Sequence, residues 1–269
     1  MPCLTTPKSI LITSVSGGIG SHLVPLLFDQ SPQPKLVLPT RNAENLKSAL
    51  LSISKAGQYV FLPQISVRDP VWVESLSKDN ELNTIFLYLT GSDEMTTALI
   101  LLDAIRRIPA IKKLAYPSSI GEFTSETDSR IPSARVRYPR QLAKAIIEQR
   151  LKYRPLDLEW TILGSTIFFA NDNMQISNIP SKGGLSGLSR HGVSRIALSE
   201  IALRARNAMY DTNGAWHGRK FQLGKKNLYI SENFTQIWSK ALVKPIDNTR
   251  KSNRSGAAVE EDDAWRYWI

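Results

Sequence analysis

The first two-thirds of the chain alternate between short apolar runs and longer stretches of mixed polarity. The apolar runs are rich in β-branched residues, as in strands that are buried on both faces of a parallel sheet. The stretches between them repeat apolar residues every three or four positions, which is the period of an amphipathic helix. This alternation predicts a doubly wound parallel α/β sheet. The six predicted strands cover residues 9–12, 35–38, 58–62, 82–89, 113–117 and 158–163.

Capping residues mark where several of the intervening helices begin. Asn42 is predicted to cap a helix over 43–52, because its side chain can accept a hydrogen bond from the free N–H groups of a first turn. Asp69 followed by Pro70 predicts the start of the next helix. Pro25 falls inside the first helix, where it either kinks the helix or occupies its permissive first turn. Two further helices are predicted, over 94–107 and 142–151.

The pattern changes after residue 165, where the regular alternation ends. We therefore predict a first domain over 1–165 and a small mixed subdomain over 166–269. The aromatic residues of the acidic C-terminal tail either dock on the body of the protein or recruit a partner, and docking is favoured. The elements predicted in the second part are a loop over 180–187, a helix over 199–209 capped by Ser199 or a neighbour, a strand over 220–223, a helix over 231–242 capped by Ser231, a polar linker over 244–258 and the tail over 259–269.

Composition narrows the expected partners and compartment. The 34 basic and 24 acidic residues give a net charge of +10, but the basic residues are scattered, so nucleic-acid binding is not expected. Cys3 is the single cysteine, which excludes a disulfide within the chain and fits a reducing compartment. No apolar stretch is long enough to span a membrane and no secretory signal is recognised, so a cytoplasmic protein is expected. His22, His191 and His217 show no metal-ligand spacing, and no metal site is predicted.

The first strand runs into a glycine-rich turn, which is the main candidate for a binding site. The turn reads Thr13-Ser14-Val15-Ser16-Gly17-Gly18-Ile19-Gly20 and leads into the first helix. Such a turn aims backbone N–H groups and the positive end of a helix at one point, which suits a phosphate, although a plain glycine corner is the alternative. Gly17 and Gly20 match the second and third glycines of the dinucleotide fingerprint, with Ser14 in place of the first. The predicted cofactor-binding residues of the turn are Ser14, Ser16, Gly17, Gly18, Ile19 and Gly20, of which Ser16, Gly17 and Gly20 would hold the pyrophosphate.

Two further strand ends bear on the choice of cofactor. After the second strand comes Arg41, where an acidic residue would favour NAD and an arginine accommodates the 2′-phosphate of NADP. The alternative for Arg41 is a surface ion pair with Glu44. The fourth strand is followed by Thr90, and the turn at that point lies beside the cofactor in this architecture. The sequence therefore predicts NADP(H) as the cofactor.

Several motifs, in their order and spacing, resemble the NmrA-like family of atypical short-chain dehydrogenases/reductases. The glycine turn is similar to the family's Thr-Gly-Ala-Thr-Gly-x-x-Gly, and Thr40-Arg41-Asn42 is similar to its arginine-bearing end of the second strand. The resemblance implies an NAD(P)-binding Rossmann domain over 1–165 and a substrate-binding subdomain over 166–269. The other matching segments are Tyr116-Pro117-Ser118-Ser119-Ile120-Gly121, Trp160-Thr161-Ile162-Leu163-Gly164-Ser165 followed by Phe168-Phe169, and Leu198-Ser199-Glu200-Ile201-Ala202.

The wider superfamily performs its chemistry with a Tyr-x-x-x-Lys pair, in which the lysine lowers the pKa of the tyrosine and holds the nicotinamide ribose. Lys144 and Glu148 resemble that lysine and the glutamate that follows it. Arg140 occupies the tyrosine position, and Tyr138 is the nearest tyrosine. The resemblance implies that Lys144 binds the cofactor and takes part in catalysis, with Tyr138 as the replacement candidate. The alternative for Lys144 is an exposed i,i+4 ion pair with Glu148.

Three functions are compatible with these residues. The first is an NADPH-dependent oxidoreductase acting on a small organic carbonyl or enone, with Ser118 or Ser119 near the substrate oxygen and Lys144 tuning proton transfer. The second is a non-catalytic NADP-binding regulator that reports redox state, which the displaced tyrosine favours. The third is a non-redox isomerase or cyclase on the same fold. For the enzyme, a segment over 168–191 is expected to cap the substrate pocket, with Phe168, Phe169 and Met174 in its lining.

Overall fold

The computed structural model contains a seven-stranded sheet and two pairs of short strands. The structure describes residues 6–40, 42–51, 59–63, 69–89, 93–121, 139–153, 158–173, 184–185 and 192–248. Its strands are β1 (Ser9–Ile12), β2 (Lys35–Thr40), β3 (Tyr59–Pro63), β4 (Thr84–Phe86), β5 (Lys113–Ser119), β6 (Glu159–Ser165), β7 (Ile167–Phe168), β8 (Gly184–Leu185), β9 (Arg195–Ile196), β10 (Arg219–Leu223) and β11 (Asp247–Asn248).

The large sheet has the strand order β10-β6-β5-β4-β1-β2-β3. Strand β1 pairs in parallel with β2 on one side and with β4 on the other, so the chain order reverses at β1. The pairs β2–β3 and β4–β5 are parallel as well. All four residues of β1 are buried, as its apolar run predicts. The predicted doubly wound parallel α/β sheet is therefore confirmed, with a switch point between β1 and β4 where such folds bind ligands.

The fourth strand is shorter than its apolar run. The run predicts 82–89, whereas ladder pairing is confined to Thr84–Phe86. Leu82 is buried but belongs to the turn that ends the preceding helix, because its N–H donates to the carbonyl oxygen of Ser77 at 3.0 Å. The apolar run is therefore longer than the strand, because it includes residues that are buried without pairing in the sheet.

Seven α-helices lie within the described residues, together with one 3₁₀ turn at Phe169–Asp172. Helices α3, α4 and α5 pack against one another in sequence order. Their apolar faces join β1, β4 and β5 in one core, in which Leu11, Ile85, Leu101, Leu114 and Ile147 are all buried. The helices are α1 (Gly18–Phe28), α2 (Ala43–Leu51), α3 (Pro70–Asn80), α4 (Glu94–Ile105), α5 (Pro139–Tyr153), α6 (Leu198–Met209) and α7 (Ser231–Leu242).

Of the four predicted caps, two are confirmed and Ser231 is wrong. The fourth is Ser199 or a neighbour, and Ser199 itself lies inside α6, which begins at Leu198. Asn42 Oδ1 accepts the N–H of Asn45 at 3.0 Å, and Asp69 Oδ1 accepts the N–H of Val71 at 2.9 Å. Ser231 is not the cap of α7 but its first helical residue, because Ile230 has the extended cap conformation. A side-chain hydrogen bond at this helix start comes from Asn233, whose Oδ1 accepts the N–H of Ile230 at 3.0 Å. An asparagine three residues after the cap therefore fixes this helix start.

Pro25 lies in the interior of α1, beyond its first turn. The placement in the permissive first turn is therefore wrong. Pro25 has no N–H to donate to the carbonyl one turn earlier, so α1 lacks that hydrogen bond.

The contacts of the chain divide it into two compact units. The first consists of Met1–Ser119, Phe123–Gly164 and Ser199–Phe221, and the second of Ile120–Glu122, Ser165–Leu198 and Gln222–Ile269. Residues that follow the expected boundary at 165 thus include a segment that packs within the first unit, namely α6 and the start of β10.

The second unit is organised around an arginine and three aromatic rings. Arg195 forms an ion pair with Asp172 and lies with its guanidinium 4.1 Å from the ring centroid of Phe234. Tyr229 contacts the rings of Phe169 and Phe234, with centroid separations of 5.5 and 5.7 Å. Short pairings of β7 with β9 and of β8 with β11 complete the unit.

None of the helices in the described ranges combines the length and the apolar character needed to cross a membrane. Several residues predicted to matter lie outside those ranges: Arg41, Thr90, Tyr138, Met174 and the tail 259–269.

Candidate functional site

The glycine turn lies at the carboxyl ends of β1 and β4. Thr13 joins the two strand ends, since its N–H donates to Phe86 O at 3.2 Å and its hydroxyl donates to Tyr88 O at 3.0 Å. The Thr13 hydroxyl oxygen also accepts the N–H of Tyr88 at 2.9 Å. These bonds fix the turn at the switch point of the sheet, where ligands bind in open α/β folds.

Two glycines allow α1 to approach this turn closely. A Cβ atom on Gly20 would lie 2.1 Å from the carbonyl oxygen of Ser14 and 2.8 Å from that of Val15, both of which are backbone atoms. A Cβ atom on Gly17 would lie 2.7 Å from Ser14 Oγ. Gly20 therefore fits the third position of the dinucleotide fingerprint, where the helix packs against the strand. The serine at the first position is accommodated because its side chain lies beside Gly17.

The beginning of α1 is suited to an anion. Gly17 is the N-cap and makes no side-chain cap bond, and the first turn has no acidic residue. By helix geometry the N–H groups of the first turn, including those of Gly18 and Ile19, have no partner within the helix. The side chain of Ile19 is fully buried, so only its backbone could contact a ligand, whereas Ser16 is exposed. The helix dipole favours negative charge at this point.

Lys144 lies in a buried cluster with residues from two other elements. Its Nζ is 2.8 Å from Oε1 of Glu94, the first residue of α4. The hydroxyl of Tyr116, on β5, donates to the same oxygen at 3.1 Å, and Lys144 Nζ lies 5.5 Å from the centroid of the tyrosine ring. The Glu94 side chain is 3% exposed and that of Lys144 is 15% exposed. One carboxylate oxygen thus holds both an ammonium and a phenol.

Tyr116 does not supply the proton donor that the superfamily pattern requires. It is fully buried, and its pKa is raised well above the ordinary value, mainly by burial and to a smaller extent by the Glu94 carboxylate. Its hydroxyl proton is directed at Glu94. The residue is therefore a neutral hydrogen-bond donor within the cluster.

Glu148 belongs to a second buried cluster, one helical turn further along α5. Both of its carboxylate oxygens contact Nζ of Lys220, on β10, at 2.8 and 2.9 Å. The Ser118 hydroxyl donates to Oε1 at 2.5 Å. Burial raises the pKa of the Glu148 carboxyl, although the Lys220 ammonium and the Ser118 hydroxyl oppose that shift. The alternative considered for Lys144, an exposed i,i+4 ion pair with Glu148, does not hold, because each of the two residues contacts a partner from another element.

The two serines that follow each other on β5 have different surroundings. Successive side chains of a strand alternate between the faces of a sheet, so Ser118 shares a face with Tyr116 while Ser119 points to the other. Both are buried, and the Ser118 proton is used by Glu148. Of the residues predicted as catalytic, Lys144 and Ser118 therefore lie on the same side of β5 but in separate clusters.

Three site residues escaped the sequence analysis: Glu94, Tyr116 and Lys220 were not predicted to contact the candidates. Glu94 begins the helix after the fourth strand, and the segment between the two is predicted from the sequence to lie beside the cofactor. Lys220 carries no local signal, since it contacts a glutamate 72 positions earlier in the chain.

No protein-family model matches this chain, and no curated protein matches it by sequence. Solved structures do match. The negative transcriptional regulator NmrA in complex with NADP has a TM-score of 0.70 at 14% identity, over 98% of this chain and 82% of that one. The chain has the fold of NmrA and related NAD(P)-binding Rossmann proteins.

Enzymes share this NmrA-like fold. An NADPH-dependent quinone oxidoreductase from Escherichia coli, complexed with NADPH, has a TM-score of 0.69 at 16% identity over 93% of this chain and 81% of that one. A dTDP-glucose 4,6-dehydratase from Bacillus anthracis, in complex with NAD, has a TM-score of 0.68 at 16% identity over 90% and 84%. At such identities the likeness concerns the fold, and the resemblance to the NmrA-like proteins is confirmed at that level.

Proposed function

We propose that this chain binds NADP(H) and uses it to reduce a small conjugated carbonyl compound, an enone or a quinone. The observation that carries the proposal is the close packing of α1 on the glycine turn, where Gly20 leaves no room for a Cβ atom beside the Ser14 carbonyl. This packing brings the free N–H groups of the first turn to the switch point of the sheet, which suits a pyrophosphate. The same fold carries NADP or NAD in the matched structures.

The choice of NADP over NAD rests on Arg41. The sequence has this arginine and no acidic residue directly after β2, which supports a contact with the 2′-phosphate. The matched quinone oxidoreductase, which is NADPH-dependent, supports the same choice by analogy of fold.

The substrate class follows from the proton donors. Reduction of a simple ketone places charge on an oxygen that needs a proton at once, but Tyr116 and Ser118 direct their protons at Glu94 and Glu148. A conjugated carbonyl has a smaller requirement. Hydride transfer to a quinone leaves a stabilised hydroquinone anion, which takes its proton on oxygen from water; in an enone, hydride adds to the β-carbon and the electron pair moves to the oxygen as an enolate. The Lys144 ammonium would stabilise that charge, and water would then protonate the α-carbon. The bound reduced cofactor would supply the hydride.

A direct test begins with titration of the purified protein with NADPH, NADP, NADH and NAD. We expect the phosphorylated pair to bind more tightly. NADPH consumption is then measured with cyclohexenone and with cyclohexanone, and only the enone should be reduced. Lys144→Met should lower turnover by about 100-fold, since a preorganised donor to a developing oxyanion contributes roughly that factor. Lys78→Met, at an exposed lysine, is the control. Equal turnover of both ketones would contradict the proposed substrate class.

The second candidate is a non-catalytic NADP-binding regulator. A specific observation favours it: the hydroxyl groups of Tyr116 and Ser118 each donate to a carboxylate rather than pointing at open space. Such a protein would bind NADP(H) in the titration and leave NADPH unconsumed with every enone and quinone tested. Tight binding without turnover would therefore replace the first candidate with the second.

A further inference from the structure

Glu94 is a buried carboxylate at the ligand-binding edge of the sheet. It is the first residue of α4, the helix that follows β4, and only 3% of its side chain is exposed. An ionised carboxylate is costly to bury unless charged or hydrogen-bonding groups surround it. Here Lys144 supplies the charge and Tyr116 a hydrogen bond, both to Oε1.

This arrangement restricts the Lys144 ammonium to one position. Glu94 Oε1 fixes it at 2.8 Å, and the ring of Tyr116, itself fully buried, lies 5.5 Å away. Within the described part of the chain, Glu94 is the hydrogen-bond partner of Lys144. An ammonium has three N–H donors, so two remain for other acceptors. The side chain keeps 15% of its surface exposed, so a ligand can reach it.

The second ion pair on α5 provides the comparison. The side chains of Lys220 and Glu148 are 3% and 1% exposed, and both oxygens of Glu148 contact the lysine. That pair is closed to solvent, whereas the Glu94–Lys144 pair leaves its lysine accessible. The accessible pair also includes Glu94, which begins the helix that follows β4, and the cofactor of such folds lies at the carboxyl ends of these strands.

We propose that Glu94 is a positioning residue, which holds Lys144 so that its remaining N–H donors can bind the dinucleotide. This inference rests on the proposed function, because it assigns Glu94 a part in the same cofactor site. Glu94 acts through Lys144 and has no contact of its own with the ligand. Its carboxylate also balances the lysine charge, so the lysine stays in place before the cofactor arrives.

The test is a thermodynamic cycle on NADPH binding. Glu94→Gln keeps an oxygen acceptor for Lys144 and Tyr116 but removes the charge. Lys144→Met removes the ammonium, and Lys144→Gln is the second version in case the methionine variant folds poorly. Each single variant should weaken NADPH binding by about tenfold, the factor that one hydrogen bond to a charged group contributes. The double variant should be no weaker than Lys144→Met alone, because Glu94 acts only through the lysine.

Glu74→Gln is the matched control, since Glu74 pairs with Arg107 in the same unit but is 41% exposed. It should leave NADPH binding unchanged. Unchanged binding by Glu94→Gln would overturn the proposal. Losses that add in the double variant would overturn it as well, because Glu94 would then act independently of Lys144.

A second readout does not depend on the cofactor. Limited acetylation with acetic anhydride, followed by peptide mass analysis, measures how fast Lys144 reacts relative to the exposed Lys78. Release of the ammonium in Glu94→Gln should accelerate acetylation of Lys144 severalfold and leave Lys78 unchanged. An unchanged rate would overturn the positioning of Lys144 by Glu94. The wild-type protein could also bind no dinucleotide while Lys144 reacts faster in the variant. The proposed function and the cofactor role would then fail, and the Glu94–Lys144 ion pair would remain a structural feature.

Discussion

Removal of the Lys220 ammonium should destabilise the first unit strongly, because it leaves a carboxylate buried without its counter-charge. In the native protein both Glu148 oxygens contact Lys220 Nζ, at 2.8 and 2.9 Å, and the two side chains are 1% and 3% exposed. Lys220→Met keeps most of the side-chain volume and removes only the charge and the hydrogen bonds. Ser118 would remain as a hydrogen-bond donor to Glu148.

The expected loss is about 3–5 kcal/mol of unfolding free energy, the usual cost of breaking a buried ion pair from one side. The loss depends on pH. Burial already raises the pKa of Glu148, and a carboxyl with a raised pKa contributes stability below its ordinary value of 4.5, which is lost as the pH rises through the folded value. Without the opposing lysine the pKa rises further, so the variant should recover part of its loss at acidic pH, where Glu148 takes up a proton.

Urea unfolding, followed by tryptophan fluorescence at about pH 8 and about pH 5, measures both effects. Arg107→Met is the control, since its ion pair with Glu74 is about half exposed and should contribute less than about 1 kcal/mol. The double variant Glu148→Leu with Lys220→Met should regain most of the stability, because an apolar pair of similar volume often replaces a buried ion pair without loss. A loss below about 1 kcal/mol in Lys220→Met, or an equal loss at both pH values, would refute the reasoning.

Three further variants test other parts of the structure. Gly20→Ala should weaken NADPH binding at least about tenfold and lower the unfolding free energy by about 1–3 kcal/mol, because its Cβ would lie 2.1 Å from a backbone oxygen. Titration with NADPH and urea unfolding measure the two effects. Wild-type values in both assays would contradict the close packing of α1. Asp69→Ala should cost about 1 kcal/mol through loss of the bond to the Val71 N–H, read as a lower urea midpoint with an unchanged slope. Arg195→Met should cost about 3 kcal/mol by leaving Asp172 unpaired, and faster amide exchange confined to the second unit is the expected signature.

The strands and helices were predictable because their signals are local. An apolar run or a helical period needs only the residues of one element, and the Asn42 and Asp69 caps need only the first turn. The wrong cap of α7 has the same origin. Ser231 is a favoured cap residue, but the Asn233 side chain, three residues further on, bonds the Ile230 N–H and shifts the helix start by one residue.

The buried clusters were not predictable in the same way. Glu94, Tyr116 and Lys144 come from α4, β5 and α5, and the contacts join residues 22 and 50 positions apart. The spacing of Lys144 and Glu148 correctly shows that they share a helix face, but spacing alone makes them partners of each other. Because that face is buried rather than exposed, packing brings charged residues of other elements within reach. Lys144 and Glu148 therefore form ion pairs with those residues and not with each other. The family motif identified which lysine to consider, whereas only tertiary structure identified what holds it.

The difference in exposure along α5 supports a structural role for one of its ion pairs and the proposed ligand-binding role for the other. Both ion pairs have good geometry, so distance alone does not distinguish them. Lys220 and Glu148 have no accessible surface to offer a ligand, and their pairing joins α5 to β10 within the core. The Lys144 side chain is 15% exposed, whereas that of its counter-charge Glu94 is 3% exposed. An ammonium that a buried carboxylate holds in place, and that is still accessible to a ligand, can bind an acceptor without first reorganising. An effective electrostatic group requires this preorganisation. We therefore expect α5 to be held to the sheet by Glu148 and, one turn earlier, to offer the Lys144 ammonium to a ligand.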